Sequence, residues 1–399
     1  MSDDTTVKNV NGHVAEGWQP VADVLAANIE RGHDLGASVA VYHRGQCVVD
    51  AAGGAFEAGS DRPYDRDTLQ LVFSTTKGIT SIAVAMCVQR GMLHYDEKVS
   101  TYWPEFGSSG KDDATVAQLL SHQCGLITID GITLEEALDW DTVTSRLAAG
   151  VPEWPIGSAH GYHALTFGWL AGELVRRVDG RSIGQFVADE IAGPLDVDLW
   201  IGLPESEEHR VSPLVGGIGV TDGDMDPDVK AMIEQVIGPG TSGGRALSLS
   251  GAFSVDGAFN RRDVHAAEIP AANAITNAAA LAKIYAATLA PVDGVQLFDD
   301  ATREIVRTQV TPHGEPDNCL LLPTTFGMGF MTHGLFTPYA GPGSFGHPGA
   351  GGSVAFAQPE RDLAFAYAMN TMAANLAADF RAQQLIEAAA TVIDAGSAA

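Results

Sequence analysis

The stretch LVFSTTKGITSIAVAMCVQRG, residues 71–91, joins a short apolar strand to an apolar helix. We predict that the strand ends at Phe73, that the helix begins at Ser74, and that Gly91 ends the helix. Residues 82–88 are apolar on every face of such a helix, so the helix should be buried. A polar residue at the start of a buried helix is held rigidly, which suits a functional side chain.

Ser74 and Lys77 stand three residues apart in this helix, so their side chains share one face. A serine hydroxyl becomes an effective nucleophile when a neighbouring base takes its proton. A lysine can be that base if burial lowers its pKa from about 10.4, and the helix N-terminus adds partial positive charge at the serine. The pair predicts Ser74 as a nucleophile activated by Lys77; a plain serine N-cap is the alternative.

Two other serines carry similar short motifs. Ser108 and Lys111 repeat the S-x-x-K spacing, but they stand in a Gly-rich polar loop with no buried helix behind it. Ser242 lies in a G-x-S-x-G match, residues 240–244, which marks a nucleophile only between a strand and a helix. Its flanks read as loop, so the context favours Ser74 over both.

Composition and charge narrow the class of protein. The 399 residues are 45% hydrophobic and 18% charged, which fits two or three structural units around a large core. The formal net charge of −27 repels nucleic-acid phosphates and anionic lipids, so we expect neither as a partner. The first 13 residues are polar, without the apolar stretch of a secretion signal, and this predicts a cytoplasmic protein.

Cysteines and histidines give no sign of a disulfide framework or a metal site. The four cysteines lie far apart with no C-x-x-C pair, which favours buried free thiols at Cys47, Cys87, Cys124 and Cys319. His160 and His163 are spaced like metal ligands, but no third ligand stands nearby, so zinc is not expected. We expect no metal and no organic cofactor.

Both ends of the chain show the alternating apolar residues that are typical of strands. Residues 37–54 read as a hairpin that turns at residues 43–46, and residues 353–370 as another that turns at Pro359-Glu360. The run FGMGFMTHG, residues 326–334, reads as a further strand. Helices are predicted at residues 21–31, 278–289 and 377–393.

The middle of the chain has a different pattern. Residues 95–204 are helical pieces joined by Gly/Pro loops, and residues 205–265 are acidic and Gly-rich, which predicts an irregular insertion. Sheet-like ends around a helical middle predict an α+β fold, an antiparallel sheet flanked by helices with an inserted all-helical domain. We place the sheet domain at residues 1–85 and 270–399, and the helical domain at residues 86–269.

Five blocks of sequence together resemble the class C β-lactamase-like serine hydrolases, in particular the carboxylesterase branch of that family. The resemblance runs from about residue 18 to 390 and is weakest across residues 205–265. It implies a β-lactamase/transpeptidase-like fold with the site in a cleft between two domains. The blocks are LVFSTTKGITS (71–81), YDEKVSTYWPEF (95–106), LLSHQCGL (119–126), GYHALTFGWLAGELVRR (161–177) and FGHPGAGGSVAFAQPE (345–360).

The resemblance assigns the catalytic side chains. The S-x-x-K motif falls on Ser74 and Lys77, and the tyrosine motif falls on Tyr162. In this family the tyrosine shuttles the proton between nucleophile and leaving group. A phenol with a pKa near about 10 needs a cationic neighbour to act as a base at neutral pH, and Lys77 is the expected neighbour.

The third family motif, Lys-Thr-Gly in the β-lactamases, falls on residues 347–349. By analogy His347 and Gly349 contact the substrate, and the backbone N–H groups of Ser74 and Ala350 form the oxyanion hole. The glycine-rich run suits a strand that the substrate approaches closely. Packing or scaffold roles are expected for His122, Trp103 and Trp169. Trp154 is a candidate to line the acyl pocket, and packing is the alternative for it as well.

Two departures from the β-lactamase pattern affect the expected substrate. Ala164 stands where β-lactamases carry an asparagine for the substrate amide, and His347 replaces the lysine that helps to hold the substrate carboxylate. Both changes favour a neutral ester. The sequence therefore predicts a serine carboxylesterase that hydrolyses small to medium acyl esters through a Ser-Lys-Tyr acyl-enzyme mechanism. The alternatives are a β-lactamase, a D-alanyl peptidase, or a non-enzymatic scaffold of the same fold.

Overall fold

A computed structural model describes residues 10–216 and 227–397. Within these residues an antiparallel sheet of seven strands has the order β1-β3-β2-β10-β9-β8-β7, and a small second sheet has the order β4-β6-β5. The strands are β1 (Val10–Val14), β2 (Gly36–His43), β3 (Gln46–Gly54), β4 (Gln70–Leu71), β5 (Leu199–Trp200), β6 (Ile275–Thr276), β7 (Met331–Thr332), β8 (Phe345–Pro348), β9 (Val354–Gln358) and β10 (Leu363–Met369).

The helices occupy both faces of the large sheet and the middle of the chain. They are α1 (Gln19–Glu30), α2 (Thr76–Gln89), α3 (Val99–Tyr102), α4 (Val116–Leu120), α5 (Leu134–Ala137), α6 (Trp140–Ala149), α7 (Thr166–Asp179), α8 (Ile183–Val187), α9 (Gly193–Leu195), α10 (Pro227–Ile237), α11 (Ser242–Ser248), α12 (Arg262–Ala266), α13 (Ala278–Leu289), α14 (Asp300–Arg307) and α15 (Phe380–Ser397). None of the helices in the described ranges is both long and apolar enough to cross a bilayer.

The two predicted hairpins are confirmed. Between β2 and β3, Arg44 and Gly45 both have positive φ, as a tight turn between right-twisted strands requires. Strands β9 and β10 are joined by a 3-10 turn at Pro359–Arg361, and β10 pairs with β2. This pairing joins the first and the last strands of the chain in one sheet, so the predicted sheet from both termini is present.

Side-chain size alternates along β10, whose seven residues are all buried. Leu363, Phe365 and Tyr367 point toward the core shared with α1 and α15, whereas the alanines between them point toward the core shared with α13. Small residues let a helix lie close to a sheet. This is why β10 reads as a continuous apolar run rather than an alternation of apolar and polar residues.

The buried helix α2 links the sheet to the helical middle of the chain. All its residues from Thr76 to Cys87 are buried, and the helix packs against α7, α8 and the edge of the sheet. Gly91 follows it with φ of 71°, as the predicted stop requires. The start differs from the prediction, because β4 ends at Leu71 and one 3-10 turn, Phe73–Thr75, precedes the α-helix.

Two sequence predictions are wrong. Residues 326–334 hold only the two-residue strand β7, because Gly327 and Gly329 turn the chain and Gly329 has φ of 86°. The segment 205–265 is not simply irregular, since it carries α10, α11 and α12. Short helices fixed by local caps, such as the Thr241 side chain that accepts from the Gly244 N–H, give too little periodicity to be recognised. Residues 217–226 of that segment lie outside the described residues.

The cysteines agree with the prediction of free thiols. All four are unpaired, Cys87, Cys124 and Cys319 are buried, and Cys47 is partly buried. Burial raises the pKa of the Cys124 thiol to about 12, so the thiol stays protonated at neutral pH. The domain boundaries expected from the sequence stay a prediction.

Candidate active site

A sharp turn presents Ser74. Phe73 adopts a φ of 44°, which is in the left-handed region that non-glycine residues avoid and which carries strain of about 1–3 kcal/mol. Its buried ring packs edge-on against Phe259, with centroids 4.9 Å apart, and this packing helps to hold the turn. Ser74 is only partly buried, so its side chain lies at the edge of the core rather than inside it.

Lys77 is fully buried directly below Ser74. Its Nζ lies 3.0 Å from Ser74 Oγ, 2.6 Å from the Ala164 carbonyl oxygen and 3.0 Å from the Ala271 carbonyl oxygen. Burial lowers the pKa of Lys77 well below its usual value. No carboxylate of the described ranges lies within ion-pair distance of Nζ, so nothing offsets the loss of hydration of a charged amine.

Nζ donates to three acceptors, the carbonyl oxygens of Ala164 and Ala271 and Ser74 Oγ. Burial favours the neutral amine, in which two N–H bonds serve the carbonyl oxygens and the lone pair is left for the Ser74 hydroxyl. The Thr80 hydroxyl donates to the neighbouring Pro270 carbonyl at 2.6 Å and so holds the chain beside Ala271 in place.

Tyr162 lies beside the same two groups. Lys77 Nζ lies 4.8 Å from the centroid of the Tyr162 ring. Burial raises the pKa of Tyr162 above its usual value, whereas the nearby Ser74 side chain lowers it and the Asp317 carboxylate raises it. The lowered pKa of Lys77 and the raised pKa of Tyr162 favour a neutral amine and a neutral phenol beside Ser74. The expected role of Tyr162 as a proton shuttle stays a prediction.

His347 lies on β8 with its ring stacked on Tyr162 at a centroid distance of 5.9 Å. Its Nδ1 lies 2.7 Å from the Pro348 carbonyl oxygen, so Nδ1 carries the proton and Nε2 is an acceptor. Nε2 is buried and has no partner among the described atoms. Burial lowers the pKa of His347, which favours the neutral ring.

Gly349 brings the second predicted oxyanion donor toward Ser74. A Cβ at Gly349 would lie 2.2 Å from Ser353 Oγ and 2.3 Å from the Val72 carbonyl oxygen, so only glycine allows this approach to the turn before Ser74. The Gly349 carbonyl accepts from the Gly352 N–H at 3.2 Å. In a trans peptide the N–H of Ala350 points the opposite way, away from Gly352.

Trp154 packs against the backbone beside Tyr162. A Cβ on Gly161 would lie 2.6 Å from the Trp154 ring, and the ring meets His163 edge-on at a centroid distance of 6.1 Å. The indole Nε1 is buried and has no partner within the described part of the chain. The structure thus brings Trp154 next to the tyrosine segment, while a contact with the acyl group stays a prediction.

The histidine pair 160/163 is occupied by protein contacts. His160 Nε2 lies 3.2 Å from Thr324 Oγ1. His163 Nδ1 lies 2.6 Å from the Gly161 carbonyl oxygen, and its Nε2 accepts from the Leu126 N–H at 3.0 Å and lies 3.4 Å from Cys124 Sγ. In residues 10–216 and 227–397 no group of three or more potential metal ligands comes together. These rings serve to fix the loops around Tyr162.

The two rejected serines have structural contacts. Lys111 Nζ donates to the Ser108 and Gly150 carbonyl oxygens, and the Ser108 hydroxyl donates to the Ala148 carbonyl at 2.8 Å. Ser242 begins α11 directly after its capping residue and follows α10 rather than a strand. Neither serine has a base at hydrogen-bonding distance of the kind that Ser74 has.

The sequence analysis missed one buried residue of the site. Asp317 accepts a hydrogen bond from the Tyr162 N–H at 3.0 Å, although the two residues are 155 positions apart. It stands in a loop without periodic pattern, and a single aspartate after a proline gives no signal of a long-range contact.

Comparisons with known proteins agree with this geometry. A family model described as Beta-lactamase matches residues 21–390. The chain is 36% identical over 354 residues to the protein "Esterase/beta-lactamase LipL" of Mycobacterium tuberculosis, covering 84% of this chain and 77% of that protein.

Solved structures are similar over nearly the whole chain. A penicillin-binding protein homolog from Caulobacter crescentus has a TM-score of 0.85 at 37% identity and covers 96% of this chain and 100% of its own. A family VIII carboxylesterase has a TM-score of 0.85 at 34% identity, with coverage of 96% and 99%. EstA from Arthrobacter nitroguajacolicus Rue61a has a TM-score of 0.84 at 33% identity, with coverage of 97% and 99%. The chain therefore belongs to the β-lactamase family and is one of its serine hydrolases, with esterases among its relatives.

Proposed function

We propose that this protein is a serine carboxylesterase that hydrolyses neutral esters of small to medium acyl groups. The observation that carries the proposal is the fully buried Lys77 amine, which lies 3.0 Å from Ser74 Oγ, is otherwise bonded to two backbone carbonyl oxygens, and has a pKa that burial lowers. This is the arrangement of a base that is ready to take the serine proton.

In the acylation step Ser74 Oγ attacks the ester carbonyl carbon as Lys77 Nζ takes its proton. The carbonyl π electrons move onto oxygen, and the N–H groups of Ser74 and Ala350 donate to that oxyanion. Each such donor typically contributes about 2.7–4 kcal/mol to transition-state stabilisation. The close approach at Gly349 supports this role for Ala350, because it brings the two backbone segments together.

The leaving alcohol requires a proton when the tetrahedral intermediate collapses. The Tyr162 phenol lies beside Ser74 and Lys77, so it is placed to donate to the departing oxygen while protonated Lys77 returns a proton to it. The C–O bond to the alcohol breaks and an acyl-Ser74 ester remains. Water then attacks this ester by the same path, and Ser74 leaves with the returned proton.

The surroundings of the site favour a neutral substrate. Ala164 offers no side-chain amide, and its carbonyl oxygen already accepts from Lys77. His347 presents a lone pair rather than a positive charge, and a lone pair repels a carboxylate. A site that leaves a substrate carboxylate without a partner discriminates against it. The carboxylate-bearing β-lactams are therefore the poorer fit.

We expect p-nitrophenyl acetate, butyrate and octanoate to be hydrolysed, with the octanoate slower than the shorter esters. A chromogenic cephalosporin should survive the same enzyme concentration. Initial rates on these four compounds test the proposal directly. Rapid cephalosporin turnover with inert esters would contradict it and would favour the β-lactamase alternative. No turnover of any compound and no adduct with a serine-reactive probe would favour the scaffold alternative.

The pH dependence of kcat/KM follows from the two shifted groups. Lys77 must be neutral, so the rate falls as the pH falls through the lowered pKa of Lys77. Tyr162 must be protonated, and because burial raises its pKa, its loss of the proton lowers the rate only at pH values above the range of the measurement. We expect a plateau through neutral and mildly alkaline pH, measured between about pH 5 and 10.5 with a butyrate ester. A rate that already falls as the pH drops below about 10.4 would show that Lys77 is charged at neutral pH in the free enzyme, which contradicts its role as the base.

A further inference from the structure

Asp317 is a fully buried carboxylate in the loop between α14 and β7. Its Oδ1 accepts from the N–H groups of Tyr162 at 3.0 Å, Cys319 at 2.8 Å and Leu320 at 2.9 Å. Its Oδ2 accepts from the Thr324 hydroxyl at 2.9 Å. Among the described residues it has no cationic ion-pair partner, so hydrogen bonds alone offset the loss of hydration.

Part of this pattern is an ordinary turn. An aspartate side chain often accepts from the N–H groups two and three residues later, as Asp317 does from Cys319 and Leu320. An asparagine serves such a turn equally well, so the turn does not require a charge. The bond to the Tyr162 N–H is not part of the turn. It ties the loop to a segment 155 positions away.

The loop holds the tyrosine segment at two points. The Asn318 N–H donates to the His160 carbonyl oxygen at 2.9 Å, two residues before the bond that the Tyr162 N–H makes to Asp317. His160 also contacts Thr324, which in turn donates to Asp317. The loop thus fixes the backbone before and at Tyr162, and this backbone determines where the Tyr162 side chain lies.

We propose that Asp317 is a positioning residue for Tyr162, holding the phenol over Ser74 through the Tyr162 main chain while placing a negative charge beside the ring. This rests on the role of Tyr162 under the proposed function. Since Asp317 bonds to the backbone and not to the phenol, it does not touch the substrate in this arrangement.

Burial is the main cause that raises the pKa of the Tyr162 phenol, and the nearby Asp317 carboxylate adds to it because a negative charge disfavours the phenolate. Burial lowers the pKa values of Lys77, His122 and His347 and raises that of Tyr339. The titratable groups that face Tyr162 are Lys77 from α2, His122 after α4, His347 from β8, Tyr339 and Asp317.

Asp317→Asn tests the proposal, because a neutral amide oxygen accepts the three N–H bonds more weakly than a carboxylate does, and the amide NH2 takes the place of the oxygen that accepts from Thr324. We expect kcat for p-nitrophenyl butyrate to fall by about 10-fold, with KM changed by less than about twofold, because Tyr162 is held less firmly over Ser74. A purely structural turn would lower Tm and leave kcat unchanged, and that result would overturn the proposal.

Glu173→Gln is the matched control. Glu173 is an equally buried carboxylate on α7, bonded to Arg176, Arg177 and Trp140 rather than to the site. Its variant should lose thermal stability and keep the wild-type kcat. If both variants lose kcat equally, the loss reports general loosening, and the proposal fails.

Thr324→Val covers the case in which Asp317→Asn does not fold. It keeps the Asp317 charge but removes the bond that orients Oδ2. We expect a several-fold lower kcat with a KM within about twofold of wild type; an unchanged kcat would count against the proposal. Failure of the proposed function is recognised separately, because Ser74→Ala would then keep its ester activity. If Ser74→Ala is inactive and Asp317→Asn is normal, only the role of Asp317 is wrong.

Discussion

Ser74→Ala is expected to lower kcat for p-nitrophenyl butyrate by at least about 10⁴-fold, which leaves only the catalysis that binding and oxyanion donors provide. The variant lacks the oxygen that forms the acyl bond, and no other described serine has a neutral amine 3.0 Å from its hydroxyl. The fold should remain intact, because Lys77 keeps its bonds to the Ala164 and Ala271 carbonyl oxygens. Initial rates with a thermal melt of each protein measure both effects.

Ser242→Ala is the control for this experiment. Ser242 belongs to the competing G-x-S-x-G match and begins α11, so its loss should leave the ester rate within about twofold of wild type. A fluorophosphonate probe should add its mass to wild type and to Ser242→Ala, but not to Ser74→Ala. Full ester activity in Ser74→Ala would show that the nucleophile is assigned to the wrong residue, and Ser242 would be tested next.

Lys77→Met should separate activity from stability. Methionine fills the same channel but has no basic nitrogen, so we expect kcat to fall by about 10³- to 10⁴-fold. The Ala164 and Ala271 carbonyl oxygens lose a donor, which costs about 1–3 kcal/mol each. Methionine also removes the free-energy cost of burying an amine, and this gain in stability opposes the loss of the two hydrogen bonds. Tm should therefore stay within about 5 °C of wild type.

Lys111→Met is the matched control, because Lys111 is also fully buried and belongs to the second S-x-x-K match. Its amine holds the Ser108 and Gly150 carbonyl oxygens far from any nucleophile. We expect a lower Tm with unchanged kcat. If Lys77→Met also keeps its kcat, Ser74 is deprotonated by another group, and the neutral phenol of Tyr162 would be the next candidate to replace by phenylalanine.

The segment that starts at Leu71 shows which structural features can be predicted from a local stretch of sequence and which cannot. Its apolar run predicts a buried helix, and the three-residue spacing predicts that Ser74 and Lys77 meet, which their 3.0 Å contact agrees with. The exact start of the helix was not predictable from the run, because the 3-10 turn depends on a strained Phe73. Phe259, which packs on that residue, stands 186 positions later, in the segment with the weakest sequence signal.

Strand prediction succeeded and failed for a single physical reason. The hairpins 37–54 and 353–370 consist of adjacent strands with a tight turn, so their period and turn residues lie within one short stretch. The run 326–334 has apolar residues at strand-like positions, but its glycines take turn conformations once β7 pairs with β8. Glycine tolerates both outcomes, so its backbone conformation is decided by packing.

The sequence by itself determined the α+β fold, the buried helix α2, the Ser74-Lys77 pair and the resemblance that pointed to Tyr162. These depend on periodicity, spacing and motif order, which are properties of neighbouring residues. Only the tertiary structure decided that Lys77 is placed between the carbonyls of Ala164 and Ala271, and that Asp317 holds the Tyr162 backbone. The protonation states of the site follow from those contacts, because desolvation and hydrogen bonds made across the fold shift a pKa, and neither is visible in a local stretch of sequence.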